Sequence, residues 1–132
     1  MKFKYTELGG TFKRPYVEVM VSHDDREEPY LVLVDSGADT NLFSASLAED
    51  LGLILEDGRP VSVQGATGET ATVYEHAITV SVAGQSFETT AAFTDLPHLA
   101  LAGLVGQQGF FEHFLVTFDA KNGEFELKPN RV

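Results

Sequence analysis

The segment Leu31-Val32-Leu33-Val34-Asp35-Ser36-Gly37-Ala38-Asp39-Thr40 says more about the fold than any other part of the chain. Its first four residues are aliphatic and predict a strand covered on both faces, and the small residues after them predict a turn. Because an ionised carboxylate is costly to bury beside aliphatic side chains, the position of Asp35 indicates a chemical role. The alternative is that Asp35 only caps the turn by binding the backbone amides of Gly37 and Ala38.

The composition is that of one folded domain, residues 1–132. A hydrophobic fraction of 43% and 12 glycines are typical of a domain rich in strands and turns. The 20 acidic residues outnumber the 9 basic ones, and the net charge of -11 argues against nucleic-acid binding. With no cysteine, the chain has neither a disulfide scaffold nor a thiolate zinc site. His23, His76, His98 and His113 lack metal-ligand spacing, so no metal or cofactor is predicted.

The sequence carries no recognisable export or membrane signal. Its first seven residues lack the apolar run of a signal peptide, and no apolar stretch approaches the length of a membrane span. We therefore expect no membrane partner and, provided that the chain is full length, a cytoplasmic protein. The sequence of residues 1–13 does not indicate what this N-terminal arm does.

Short strands bounded by turn residues occur along most of the chain. Residues 16–21 read as one strand, and three pairs of strand-like segments flank tight turns, which predicts three hairpins. The hairpins span residues 61–74 around the tip at 65–68, residues 77–93 around Gly84-Gln85, and residues 115–127 around Asn122-Gly123. Many short strands favour an all-β fold that is closed or semi-closed, like a barrel.

Two short helices and one exposed connection complete the predicted elements. Ser44 can cap a helix that Gly52 ends, with two leucines four residues apart between them. A second short helix is predicted after Gly106. The polar, acidic residues 22–29 are predicted to form a solvated loop.

Asp35-Ser36-Gly37 is the Asp-(Ser/Thr)-Gly element that aspartic proteases use. In that chemistry two carboxyl groups lie about 3 Å apart, one protonated and one ionised, with a water between them. The ionised group takes a proton as the water attacks a peptide carbonyl, and the other protonates the developing oxyanion. The chain has one such triplet, since Asp95 and Asp119 are not followed by Ser/Thr-Gly. A dyad therefore needs a second copy, and a twofold homodimer places Asp35 opposite itself.

Four segments, in order, resemble those of retropepsins, the single-domain, homodimeric aspartic proteases of retroviruses and their bacterial relatives. They are residues 34–41, the tip at 65–68, the triplet Leu104-Val105-Gly106, and residues 107–127, which resemble the family's short helix and closing strands. The resemblance covers residues 16–127 and leaves residues 1–13 unaccounted for. It implies the retropepsin fold, an all-β closed barrel with one or two short helices, and no cofactor or metal.

The resemblance also implies roles for individual residues. Asp35 would be the catalytic carboxylate, Ser36 would supply a hydroxyl across the dimer, and the Gly37 carbonyl would accept a hydrogen bond from substrate backbone. Asp39 would bind substrate main chain at the rim of the cleft, unless it only caps the turn that follows. The tip would be the end of a flap that closes over a peptide substrate; its residues are Gly65, Ala66, Thr67 and Gly68.

One departure from the family concerns the residue after Leu104-Val105-Gly106. Many retroviral members have an Arg there that pairs with the Asp at the Asp39 position, whereas this chain has Gln107. The leading hypothesis is an aspartic endopeptidase. The alternatives are a non-catalytic domain that keeps this fold for binding or assembly, and a hydrolase on an unrelated β fold that uses Asp35 as a lone general base.

Overall fold

The computed structural model describes residues 1–64, 67–95 and 102–130. Most of these residues lie in short strands. In chain order the strands are β1 Lys2–Lys4, β2 Thr6–Glu7, β3 Lys13–Arg14, β4 Tyr16–His23, β5 Arg26–Val34, β6 Leu42–Ser44, β7 Arg59–Gln64, β8 Thr70–Val82, β9 Gln85–Thr94, β10 Gly103–Val105, β11 Phe114–Asp119 and β12 Glu124–Pro129. The helical elements are α1 Ala45–Asp50 and the 3-10 turns Leu55–Asp57 and Phe111–His113.

Six strands close into a barrel. Their order is β4-β5-β10-β6-β9-β8, and β8 pairs back onto β4 with Val21 opposite Val80. β7 continues the sheet beyond β8 as the outer strand of a hairpin. Closure leaves few free strand edges, which is how small antiparallel architectures avoid edge-to-edge association. The predicted all-β, closed-barrel fold with short helices is therefore confirmed.

Alternating residues of the barrel strands form the core. β4 buries Val17, Val19 and Val21, and β5 buries Val32 and Val34, with the period of two that a strand dictates. Leu31 and Leu33, which alternate with the buried valines of β5, are only half-buried. The uninterrupted aliphatic run therefore does not mean burial on both faces, because one face borders the open pocket described below.

The prediction that residues 22–29 form a loop is wrong. β4 continues to His23 and β5 begins at Arg26, so that only Asp24 and Asp25 form the turn of a hairpin. Asp24 has a left-handed φ of 53°, a conformation that Asp adopts more readily than most residues. The acidic side chains lie at the solvent-exposed end of two paired strands, where charge is as well tolerated as in a loop.

The first predicted helix is confirmed, whereas the second is reduced to one turn. Ser44 caps α1, since its Oγ accepts a hydrogen bond from the Ser46 N–H at 3.2 Å, and Gly52 follows the helix with a φ of 74°. The second is the 3-10 turn Phe111–His113. Gly109, with a φ of 97°, prevents a longer helix there.

The three predicted hairpins are present as the antiparallel pairs β7–β8, β8–β9 and β11–β12. The turn of the middle hairpin lies one residue earlier than predicted, at Ala83 and Gly84, with φ values of 53° and 75°. Two consecutive positive φ angles give the turn whose twist matches that of its strands. Residues 65 and 66, at the tip of the first hairpin, lie outside the described residues.

The first residues belong to a second, three-stranded sheet of order β1-β12-β11. The Met1 ammonium donates to the Leu127 carbonyl at 2.8 Å, and the Leu127 N–H donates to the Met1 carbonyl at 3.0 Å. Phe3 stacks on the buried Phe125 with ring centroids 5.3 Å apart. The start of the chain is thus tied to its last strand, a placement that its sequence did not predict.

The turn between β11 and β12 holds a carboxylate with a lowered pKa. The Asn122 side chain donates to Asp119 Oδ2 at 2.8 Å, and the Asn122 N–H donates to Oδ1 at 3.1 Å. Both bonds favour the ionised form and hold the pKa of Asp119 below its ordinary value of 3.8. Because the folded-state pKa is the lower one, this stabilisation exists above the unfolded-state pKa and is lost as the pH falls through the folded value.

We expect Asn122→Ala to raise the pKa of Asp119 toward its ordinary value, because the side-chain bond is the larger of the two causes. An NMR titration of the Asp119 carboxyl carbon in both proteins measures the change. Asn130→Ala is the control, since that amide donates to the Glu112 carbonyl instead. An identical Asp119 titration in wild type and Asn122→Ala would contradict the assignment.

Candidate active site

Asp35 is the first residue after β5, at a place where the barrel has an unusual connection. β5 and β6 follow one another in the chain but are not neighbours, because β10 is inserted between them, parallel to β5 and antiparallel to β6. The Asp35 N–H extends the β5–β10 pairing by donating to the Val105 carbonyl at 3.0 Å. The loop from β5 to β6, residues 35–41, must therefore cross the end of β10. We call it the crossing loop.

Gly106 lies directly under the crossing loop. A Cβ atom at this position would stand 2.5 Å from the Ala38 carbonyl oxygen and 2.7 Å from that of Thr40. Both contacts are with backbone and cannot be relieved by turning a side chain. Gly106 therefore lies beneath the crossing loop for a steric reason, since only glycine lets the loop cross so closely.

The carboxylate of Asp35 is held within its own turn. Its Oδ1 accepts a hydrogen bond from the Gly37 N–H at 2.9 Å. The Ala38 N–H, which the capping alternative assigns to the carboxylate, donates instead to the Asp35 main-chain carbonyl at 3.1 Å. Asp35 is half-buried, while Ser36 and Gly37 are exposed. In one chain the carboxylate is thus oriented but still open to solvent, and it is less buried than the sequence suggested.

Asn41 is the site residue that the sequence reasoning missed. It is fully buried, and its side chain spans two strands that are distant in the sequence. Oδ1 accepts from the Gly106 N–H at 3.1 Å, and Nδ2 donates to the Thr90 carbonyl at 3.0 Å. The amide therefore locks the end of the crossing loop to β10 and β9. A polar residue directly before the apolar strand β6 was the available signal.

Gln107 binds the crossing loop from the other side. Its backbone N–H donates to the Ala38 carbonyl at 2.9 Å, and its side-chain Nε2 donates to the Ser36 carbonyl at 2.8 Å. The position where many retroviral members carry an Arg is thus occupied here by a neutral side chain that contacts the turn itself. Asp39 is exposed, and its main-chain carbonyl accepts from the Gln108 N–H at 2.9 Å.

An open pocket of about 330 Å³ borders Asp35. Apolar and basic side chains line most of it, and Phe118 is 39% exposed despite its size. Arg14 and Phe118 come from parts of the chain that the sequence reasoning did not connect with Asp35. The lining residues are Arg14, Pro15, Leu33, Val34, Asp35, Ser36 and Phe118.

The β7–β8 hairpin, predicted to be a flap, is paired from Arg59 to Gln64 and carries an ion pair at its base. There the Arg59 guanidinium donates twice to Glu75 Oε1, at 2.9 and 2.5 Å. Toward the tip most residues of both strands are exposed. The last paired residues of the two strands are Gln64 and Thr70, and Thr67 and Gly68 lie between them in the tip. Gly65 and Ala66 lie outside the described residues.

The described residues contain neither a metal-binding cluster nor a helix that could span a membrane. Within residues 1–64, 67–95 and 102–130, no group of three His, Asp or Glu side chains has a geometry that could hold a metal ion. None of the helices in those ranges is long and apolar enough to cross a bilayer.

Residues 17–108 match a protein family described as aspartyl protease. The match covers more than half of the chain, which therefore belongs to the aspartyl protease family. No curated protein has a significantly similar sequence.

Comparison with solved structures shows which kind of aspartic protease fold the chain has. A retropepsin-like aspartic protease from Rickettsia conorii superposes with a TM-score of 0.67 at 18% identity, covering 96% of this chain and 89% of that one. EIAV protease, complexed with the inhibitor HBY-793, gives a TM-score of 0.55 at 24% identity over 71% of this chain and 82% of its own. At such identities the likeness establishes the fold, which is that of retropepsins.

Proposed function

We propose that the chain is an aspartic endopeptidase whose active site forms between two copies, each contributing Asp35. The observation that carries the proposal is the setting of this carboxylate. It is oriented by the Gly37 N–H and half-exposed beside an open pocket. A carboxylate oriented in this way at an open surface could supply one half of a dyad, and the sequence contains one such element.

The chemistry follows from placing two Asp35 carboxyl groups about 3 Å apart, where they cannot both be ionised. The ionised carboxylate accepts a proton from a water as the water oxygen bonds to the peptide carbonyl carbon. The protonated partner donates its proton to the carbonyl oxygen. The resulting tetrahedral diol then collapses, with a proton passing to the leaving nitrogen, and releases an acid and an amine.

The described residues offer no better second carboxylate than Asp35 of another copy. Asp119 lies in the β11–β12 turn and is bonded to Asn122. Asp95 is the first residue after β9, and in the sequence it is followed by Leu96-Pro97, not by the Ser-Gly that follows Asp35. A twofold axis beside Asp35 would pair it with itself.

The substrate class that suits this site is an extended peptide lying between the crossing loop and the β7–β8 hairpin. The backbone N–H and carbonyl groups of such a peptide would form hydrogen bonds with the protein, as those of an added strand do. In this proposal Gly37 and Asp39 bind its main chain, and the hairpin tip from Gly65 to Gly68 covers it. The pocket beside Leu33 and Phe118 would accept an apolar side chain next to the scissile bond.

The proposal is tested by combining sedimentation with cleavage of a peptide library between pH 3 and 7. The expected result is a dimer whose activity is highest at acidic pH, where one carboxyl group of the dyad stays protonated. A statine-type transition-state mimic should inhibit the cleavage. A chain that stays monomeric with substrate present would overturn the shared dyad. Peptide binding without any cleavage would instead support the non-catalytic alternative.

A further inference from the structure

The peptide group that joins Ser36 to Gly37 is hydrogen-bonded at both ends. On one side the Ser36 carbonyl accepts from Gln107 Nε2 at 2.8 Å. On the other side the Gly37 N–H donates to Asp35 Oδ1 at 2.9 Å. A continuous chain of two hydrogen bonds therefore runs from the Gln107 amide, through one peptide group, to the carboxylate.

A peptide group is planar, so the direction of its carbonyl fixes the direction of its N–H. Holding the Ser36 carbonyl therefore aims the Gly37 N–H at Asp35. The two bonds also polarise the same peptide group in the same direction, and hydrogen bonds in series strengthen one another. The exposed Ser36 and Gly37 have little packing to hold them. Within one chain these bonds therefore do most of the orienting.

Gln107 is itself anchored well enough to act as a support. Its own N–H donates to the Ala38 carbonyl at 2.9 Å, so that one residue holds the crossing loop on both sides of Gly37. The preceding Gly106 is fixed in turn by the fully buried Asn41. The donor is uncharged, so it orients the turn without adding a charge near the carboxylate.

We infer that Gln107 is a positioning residue for Asp35, acting through the Ser36–Gly37 peptide group. The inference rests on the proposed aspartic protease activity, which it deepens. The long side chain that elsewhere in the family provides a charge at this position here provides a hydrogen bond to the turn.

Gln107→Met tests the inference, because it keeps the length of the side chain and removes the donor. We expect kcat to fall about tenfold, the equivalent of one lost hydrogen bond, with KM changed less than twofold. Gln108→Met is the matched control, since Gln108 is equally exposed but the bond to Ser36 comes from Gln107. Equal kcat for both variants, or a loss confined to KM, would overturn the inference.

Gln107→Glu provides a rescue that a merely structural role would not show. An ionised Glu cannot donate to the Ser36 carbonyl, whereas a protonated one can. The activity of Gln107→Glu relative to Gln107→Met should therefore rise about fivefold as the pH falls below about 4.3, the ordinary pKa of Glu. Asp35 and Asp39 are present in both variants, and Gln107→Met shows how the activity depends on pH without a carboxyl group at position 107. A flat ratio would contradict the inference.

Hydrogen exchange of the Gly37 amide gives a readout that needs no activity. We expect Gln107→Met, and not Gln108→Met, to speed this exchange about tenfold in the full chain. If the wild type cleaves nothing, the proposed function fails, while faster exchange still supports positioning of Asp35 by Gln107. Unchanged exchange in Gln107→Met contradicts the positioning role whether or not the wild type is active.

Discussion

Asp35→Asn is expected to reduce peptide cleavage by on the order of 10³-fold or more, because the amide can neither take nor give the proton that the reaction moves. The fold should survive, since the Asn Oδ1 can still accept from the Gly37 N–H. Steady-state kinetics measure the loss, and the thermal unfolding midpoint and the sedimentation coefficient of the variant check the fold and the dimer. Near-normal cleavage by a folded Asp35→Asn dimer would exclude Asp35 as the catalyst.

A mixing experiment shows whether the two carboxylates act as a pair. Wild-type chain mixed with a threefold excess of Asp35→Asn chain should keep about a quarter of its activity, because random pairing leaves few dimers with two carboxylates. An equal excess of Asp119→Asn chain is the control and should not inhibit. Undiminished activity in the Asp35→Asn mixture would mean that one Asp35 suffices, as in the lone-base alternative.

The second large effect is expected on stability. Asn41→Leu should lower the free energy of unfolding by roughly 2–5 kcal/mol, because it leaves the Gly106 N–H buried without a partner and removes the bond to the Thr90 carbonyl. It should also lower the activity, since the crossing loop loses the side-chain bond that joins its end to Gly106. Chemical denaturation monitored by circular dichroism gives the energy.

Asn130→Ala is the matched control for Asn41→Leu. The Asn130 amide also donates to a backbone carbonyl, that of Glu112 at 3.0 Å, but at an exposed position. Its loss should cost less than about 1 kcal/mol. If Asn41→Leu does not fold, Asn41→Ser offers a smaller polar side chain at the same position. Equal losses of stability at positions 41 and 130 would show that the Asn41 amide does not lock the loop.

The barrel and the turn at Asp35 were predictable because their signals are local. Strand periodicity, turn residues and the Asp-Ser-Gly triplet each lie within a few neighbouring residues. The loop predicted for residues 22–29 failed for the same reason. The exposed end of a strand can be as rich in charged residues as a loop. What distinguishes a strand from a loop here is the pairing between β4 and β5.

The hydrogen bonds that hold the crossing loop could not be predicted, because they join distant parts of the chain. The Asn41–Gly106 bond spans 65 residues, and the Ser36–Gln107 bond spans 71. Gln107 was recognised as a departure from the Arg that many retroviral members have at this position. Its place in the sequence did not indicate that it binds the Ser36 carbonyl. Likewise, nothing in the composition of β10 shows that it inserts between β5 and β6.

The insertion of β10 between β5 and β6 also has a consequence for the order of folding. The hairpins β4–β5, β7–β8 and β8–β9 join neighbouring segments and can form quickly, whereas contacts of high sequence separation form slowly. During synthesis Asp35 emerges long before Val105 and Gly106, which complete its surroundings. A growing chain therefore carries the carboxylate without the residues that hold it, and the proposed proteolytic activity would arise only near the end of folding.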